Sequence, residues 1–118
     1  MKNKFNLLNQ RVISWADSRG ILDKATPLSQ ISKTEEEVAE ARESLFAQQN
    51  GLESYINSKG VITKTKDAII DDFGDILVTI LIGCELQKID ALEALGLALD
   101  IIEKREGRMI NGKFVKDK

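Results

Sequence analysis

The chain has 118 residues, 42% of them hydrophobic and 31% charged, and its 17 Lys and Arg against 19 Asp and Glu leave a net charge of −2. Those proportions describe a globular protein with one core, and exclude a disordered chain or a dedicated nucleic-acid binder, which would be clearly basic. With no His, one Cys and one Pro, the chain cannot build a Ser-His-Asp or Cys-His relay, a Cys/His zinc site or an intrachain disulfide, so its chemistry rests on carboxylates, amines, guanidiniums and hydroxyls.

So little Gly and Pro predicts long helices joined by short loops, in one domain over residues 1–118. Phe5, Leu8, Val12 and Trp15 recur at helical spacing and predict a first helix that stops near Gly20. Thr26 before Pro27 is an N-cap signal for a second helix reaching about Gln49, with Leu28, Ile31, Val38 and Leu45 on its apolar face. Residues 50–60 read as a connection whose conformation is not legible. A third helix is predicted from Thr65 or Asp67 to about Leu86. Its apolar run, 76–82, would alone suit a strand, but the whole segment is too long for one, and an all-round apolar surface marks a central helix. Asp90-Ala91-Leu92-Glu93 resembles a capping box opening a fourth helix that Gly107 stops, and Asn111-Gly112 predicts a tight hairpin turn in the tail. The expected fold class is therefore all-α, a bundle of about four helices with a short C-terminal extended tail or hairpin. Met1-Lys2-Asn3-Lys4 lacks the apolar core of a signal peptide, and no apolar run approaches the roughly 18–20 residues that span a bilayer, so a cytoplasmic protein without a membrane partner is expected.

Two acidic motifs stand out, Glu37-Val38-Ala39-Glu40 on the second helix and Asp72-Phe73-Gly74-Asp75 on the third. Each places carboxylates at i and i+3, neighbours about 5–6 Å apart on one helix face, so two packed helices can converge four anions. Oxygen ligands without His or Cys suit a hard divalent cation, Mg²⁺ first and Mn²⁺ second. A simpler account of the second helix exists. Lys33, Glu37, Glu40 and Ser44 form a stripe roughly opposite Ile31, Val38 and Leu45, where a solvated face would lie. Asp72 and Asp75 are harder to explain that way, because they lead directly into the most apolar stretch of the chain.

The order and spacing of these motifs resemble those of the MazG-like all-α nucleoside triphosphate pyrophosphatases. Lys33-Thr34-Glu35-Glu36-Glu37-Val38-Ala39-Glu40 is similar to the family's Lys-x-x-Glu-Glu-x-x-Glu helix, and Asp71-Asp72-Phe73-Gly74-Asp75 to its Glu-Glu-x-Gly-Asp motif, with Asp where the family commonly has two Glu. The flanks resemble the family too: Trp15 to Ile21 and Pro27 to Gln30 upstream, and the basic tail Lys104 to Val115 downstream.

This resemblance implies Mg²⁺-dependent hydrolysis of a nucleoside or deoxynucleoside triphosphate between the α and β phosphates. Glu37, Glu40, Asp72 and Asp75 would act through bound Mg²⁺ or Mn²⁺. Lys33, Arg105 and Arg108 are the candidates for contacting phosphate oxygens, and Trp15 is a weaker candidate for stacking on the base. Each has an ordinary role available as well: Lys33 can pair with Glu37, Arg105 and Arg108 follow a helix C-terminus, and Trp15 can be core. The all-round apolar third segment predicts oligomerisation, for which the resemblance implies a homodimer or homotetramer, and the balance of charge speaks against a nucleic-acid partner. Two rival readings are a related enzyme, phosphoribosyl-ATP pyrophosphatase or a narrow dUTP or dCTP hydrolase, and a non-catalytic helical interaction module indifferent to metal.

Overall fold

The computed structural model describes residues 3–117, which form five helices and two antiparallel hairpins. The chain divides into two compact units, Met1–Lys88 and Ile89–Lys118.

In the first unit, α1 (Lys4–Ser18) opens on Asn3, whose side chain accepts a hydrogen bond from the Phe5 amide at 2.8 Å. It closes before Gly20, whose φ of 77° is costly for any residue with a Cβ. A single further helical turn, α2 (Ile21–Lys24), follows, an element that the apolar spacing does not announce. Helix α3 (Pro27–Gln49) begins as expected. Thr26 Oγ1 accepts from the Ser29 amide and Ser29 Oγ from the Thr26 amide, a reciprocal cap, with Pro27 at the first helical position. The 50–60 connection is structured: β1 (Ser54–Ile56) pairs with β2 (Ile62–Lys64), Tyr55 opposite Thr63. Helix α4 (Thr65–Leu86) then runs through the apolar stretch as a helix, and it packs chiefly on α3, with α1 and α2 against it as well.

The face by which α3 meets α4 differs from expectation. Buried on α3 are Gln30, Thr34, Glu37, Ala41, Ser44 and Ala47, successive at three- and four-residue spacing, while the apolar stripe faces outward, with Leu28 79%, Ile31 53% and Val38 41% exposed. Glu37, at 9% exposure, and Ser44, at 0%, are thus turned inward, and the solvated-face account of that stripe fails. Small side chains explain the geometry. Ala41, Ser44 and Ala47 on α3 and Ala68 on α4 are all small and buried, and some of the polar atoms left in the seam pair with one another. Thr34 Oγ1 donates to Thr79 Oγ1 at 2.9 Å, and Gln30 Nε2 donates to the Thr79 carbonyl at 3.1 Å.

The second unit contains α5 (Ala91–Ile102) and the hairpin β3 (Gly107–Ile110) with β4 (Lys113–Lys116). Asp90 caps α5 through the Glu93 amide at 3.0 Å. Asn111 and Gly112, with φ of 50° and 79°, make the two-residue turn expected of that dipeptide. Gly107 does not stop the helix, which ends five residues earlier at Ile102. It opens β3, where a Cβ would collide with the Val115 carbonyl and the Phe114 ring of the opposite strand. The protein is mainly helical, and no described helix is long and apolar enough to cross a membrane.

Candidate metal centre

Because the polar stripe of α3 faces inward, Glu37 and Glu40 are brought to the side of α4. Glu40 shares a cavity of about 170 Å³ with Glu43 of the same helix and with Asp71, Asp72 and Asp75 of α4, and the β1–β2 hairpin closes its side with Tyr55 and Lys59. Glu37 and Asp75 line a second cleft, of about 480 Å³, whose other walls include Trp15, Gln30, Lys33 and Thr79. Asp75 lines both, so the two cavities adjoin at the acidic cluster.

Crowding of like charge is felt by these groups. Burial raises the Glu37 pKa, the charge of Glu40 raises it further, and Lys33 works in the opposite direction. Asp75 is raised by partial burial and then by Asp71, Asp72 and Glu40, with Lys59 opposing. Tyr55 is pushed up by burial and by Asp72. Only two ammonium groups approach the cluster among the described residues. Lys33 lies 3.2 Å from Glu36 and 3.5 Å from Glu37, its pKa raised first by the Glu36 hydrogen bond, and Lys59 lies 3.3 Å from Glu40.

Whether these residues suit a divalent cation can be tested on two points. Among the described residues no three Asp, Glu or Cys side chains converge as closely as a bound metal would draw them. Yet Oε2 of Glu37 and Oδ2 of Asp72 are buried with no hydrogen-bond partner, and Asp72 is only 9% exposed. An unpaired buried carboxylate oxygen costs several kcal/mol unless a cation or donor satisfies it. The donor set, all oxygen and strongly anionic, fits Mg²⁺ or Mn²⁺, with Glu37, Glu40, Asp72 and Asp75 as the residues placed to hold it.

Of the residues singled out in the sequence, Glu37, Glu40, Asp72, Asp75, Lys33 and Trp15 are therefore gathered in the first unit. Trp15 is 47% exposed on the wall of the second cleft. Arg105, after α5, and Arg108, on β3 opposite Val115, belong to the second unit. Lys59, Tyr55 and Glu43 were missed. For the two hairpin residues the signal was the β-branched and aromatic residues on either side of the five-residue loop 57–61, weaker as a pattern than Asn-Gly. Comparison with protein-family models, with curated proteins and with solved structures finds no match, so the reading rests on the residues themselves.

Proposed function

We propose that the first unit is a metal-dependent nucleoside triphosphate pyrophosphohydrolase, yielding the monophosphate and pyrophosphate. The observation that carries this reading is the inward turn of the α3 acidic stripe onto α4, which leaves carboxylate oxygens of Glu37 and Asp72 buried and unpaired. A protein that used these acids only for solubility would leave them in water. A divalent cation held by Glu37, Glu40, Asp72 and Asp75 supplies a more acidic coordinated water and neutralises charge on the phosphates.

The chain's own side chains account for the rest of the substrate. On this reading, the 480 Å³ cleft receives the nucleoside, with Trp15 beside the base and Lys33 near the phosphates, and the adjoining acidic cavity receives the metal-bound phosphate chain. Arg105 and Arg108 are not needed for this assignment. Which base is preferred, and whether the substrate is a free nucleotide or phosphoribosyl-ATP, depends on cleft contacts that a substrate panel ranks.

A second reading has its own observation in favour. No residue of α5 is buried, and the apolar stripe of α3 faces outward, as expected of a helical module that assembles with copies of itself. The two readings are compatible if a homodimer or homotetramer completes the helical bundle and carries the metal sites. Pyrophosphate release from a panel of triphosphates, with and without Mg²⁺, separates enzyme from pure assembly module. Release that requires Mg²⁺ and falls at least 100-fold in Glu40→Gln supports the enzyme. No release from any nucleotide by folded wild-type protein removes it.

A further inference from the structure

The β1–β2 hairpin is tied to the acidic site through its tip. Asn57 Oδ1 accepts hydrogen bonds from the amides of Lys59 and Val61, both at 3.0 Å, and Gly60 takes a φ of 79°, so the Ser58–Lys59 turn has a defined shape. That shape sets two side chains against α3: Ser58 Oγ donates to Glu43 Oε2 at 3.1 Å, and Lys59 Nζ lies 3.3 Å from Glu40 Oε1. Lys59 is the one ammonium among the residues lining the 170 Å³ cavity, which also holds five carboxylates. Its side chain is 73% exposed, so it reaches the cavity from a solvated edge and is free to swing. Asp72 Oδ2, buried and unpartnered on the cavity's α4 wall, receives no help from it and remains the oxygen a second cation must satisfy.

We infer that Lys59 is a resident counter-cation that a divalent metal displaces from Glu40, and that the released ammonium then binds an oxygen of the incoming triphosphate. The inference rests on the metal-dependent reading given above. Charge and reach both support it. With Lys59 held at Oε1, Glu40 is a weaker ligand for a metal, because the ammonium already neutralises part of its charge and repels a second cation. A cation at the mouth of an acidic cavity is also what a polyanionic substrate requires there, since five carboxylates would otherwise repel it. Lys59 thereby lowers affinity for metal alone and raises affinity for metal together with triphosphate.

Calorimetric titration of the full chain and its Lys59→Met and Lys59→Arg variants tests this with two probes. The first is Mn²⁺ alone, and the second a triphosphate with an imido bridge between α and β phosphates, titrated at saturating Mn²⁺. Lys59→Met is expected to bind Mn²⁺ about two- to fivefold more tightly, as loss of a partly exposed ion pair implies, and the analogue about tenfold more weakly. Lys59→Arg is expected to keep analogue binding within about twofold. A Lys59→Met variant that leaves both affinities unchanged, or gains metal without losing analogue, overturns the role of Lys59 while the metal site stands. Wild-type protein that binds no divalent cation overturns the site and this inference together.

Discussion

Burial and the charge of Glu40 raise Glu37 above its ordinary value of 4.5, and partial burial with Asp71, Asp72 and Glu40 raises Asp75 above 3.8. A raised acid pKa means that the folded protein holds the proton more tightly than the unfolded chain does. The associated stability is complete below the unfolded pKa values, about pH 4, and is lost as pH climbs through the folded ones. Metal-free protein should therefore be penalised at neutral and alkaline pH by its own site. In Glu37→Gln, which keeps the shape and removes the charge, that part of the penalty disappears. In chelator at pH 8 the variant should melt a few degrees above wild type despite losing the 3.5 Å contact with Lys33, and the gap should close as pH falls through the raised Glu37 pKa toward about 4. With Mg²⁺ the order should reverse, because only the wild type gains from binding. A variant less stable than wild type at pH 8 without metal would show that Lys33 already compensates Glu37.

At the scale of elements, legibility followed local chemistry. The cap Thr26-Pro27, the cap Asp90 and the Asn111-Gly112 turn each act within four residues, and each was legible where it stands. The β1–β2 hairpin and α2 were not, because a five-residue loop and a single helical turn carry no sharp signal, and Gly107 does not act as the helix stop it resembles because its reason for being Gly lies across the hairpin on Val115. The α3 stripe shows the deeper limit. Periodicity located two opposite faces, but a sequence cannot say which of them meets its own chain and which meets another. That the acids of α3 and α4 lie on facing sides was legible from spacing; their division between two cavities that share Asp75, and the burial of Glu37, were not. Since α3 carries both glutamates, its N-terminal cap matters to the site's rigidity. Thr26→Ala leaves the Ser29 amide unpaired and should cost about 1 kcal/mol, seen as a fall in Tm of about 4–8 °C without loss of the metal-induced shift. A loss of that shift at unchanged Tm would mean that Thr26 acts on the site directly.

Across the whole molecule, the balance of buried and exposed surface is the ground for predicting self-association. The chain exposes 9510 Å², whereas a compact monomer of 13.2 kDa exposes roughly 6,400 Å², and two separately compact units of these lengths roughly 7,500 Å². The surplus, roughly 2,000 Å², exceeds the roughly 800 Å² that each member of a standard dimer buries. Its composition points the same way. Among the described residues the buried apolar core is Ile82 and four alanines, and a 12-residue helix such as α5, with nothing buried, is marginal by itself. On the outer face of α3 and α4, Leu45, Phe46, Phe73 and Ile76 border a groove of about 370 Å³, with Phe46 56% exposed. On the proposed reading a second copy of the chain would cover such a face, with Arg42 at its border as the charge an interface must pair or keep solvated, while Glu37, the buried acid of α3, is turned toward α4. Wild-type protein is expected to sediment as a dimer or larger species at micromolar concentration. Phe46→Asp should shift it toward monomer and lower Tm, because it removes an aromatic anchor and puts a carboxylate, paired at best with Arg42, where an apolar contact would be buried. If wild type sediments as a monomer and Phe46→Asp changes neither its mass nor its Tm, this face is solvated in the working protein, and the small core must support the fold alone.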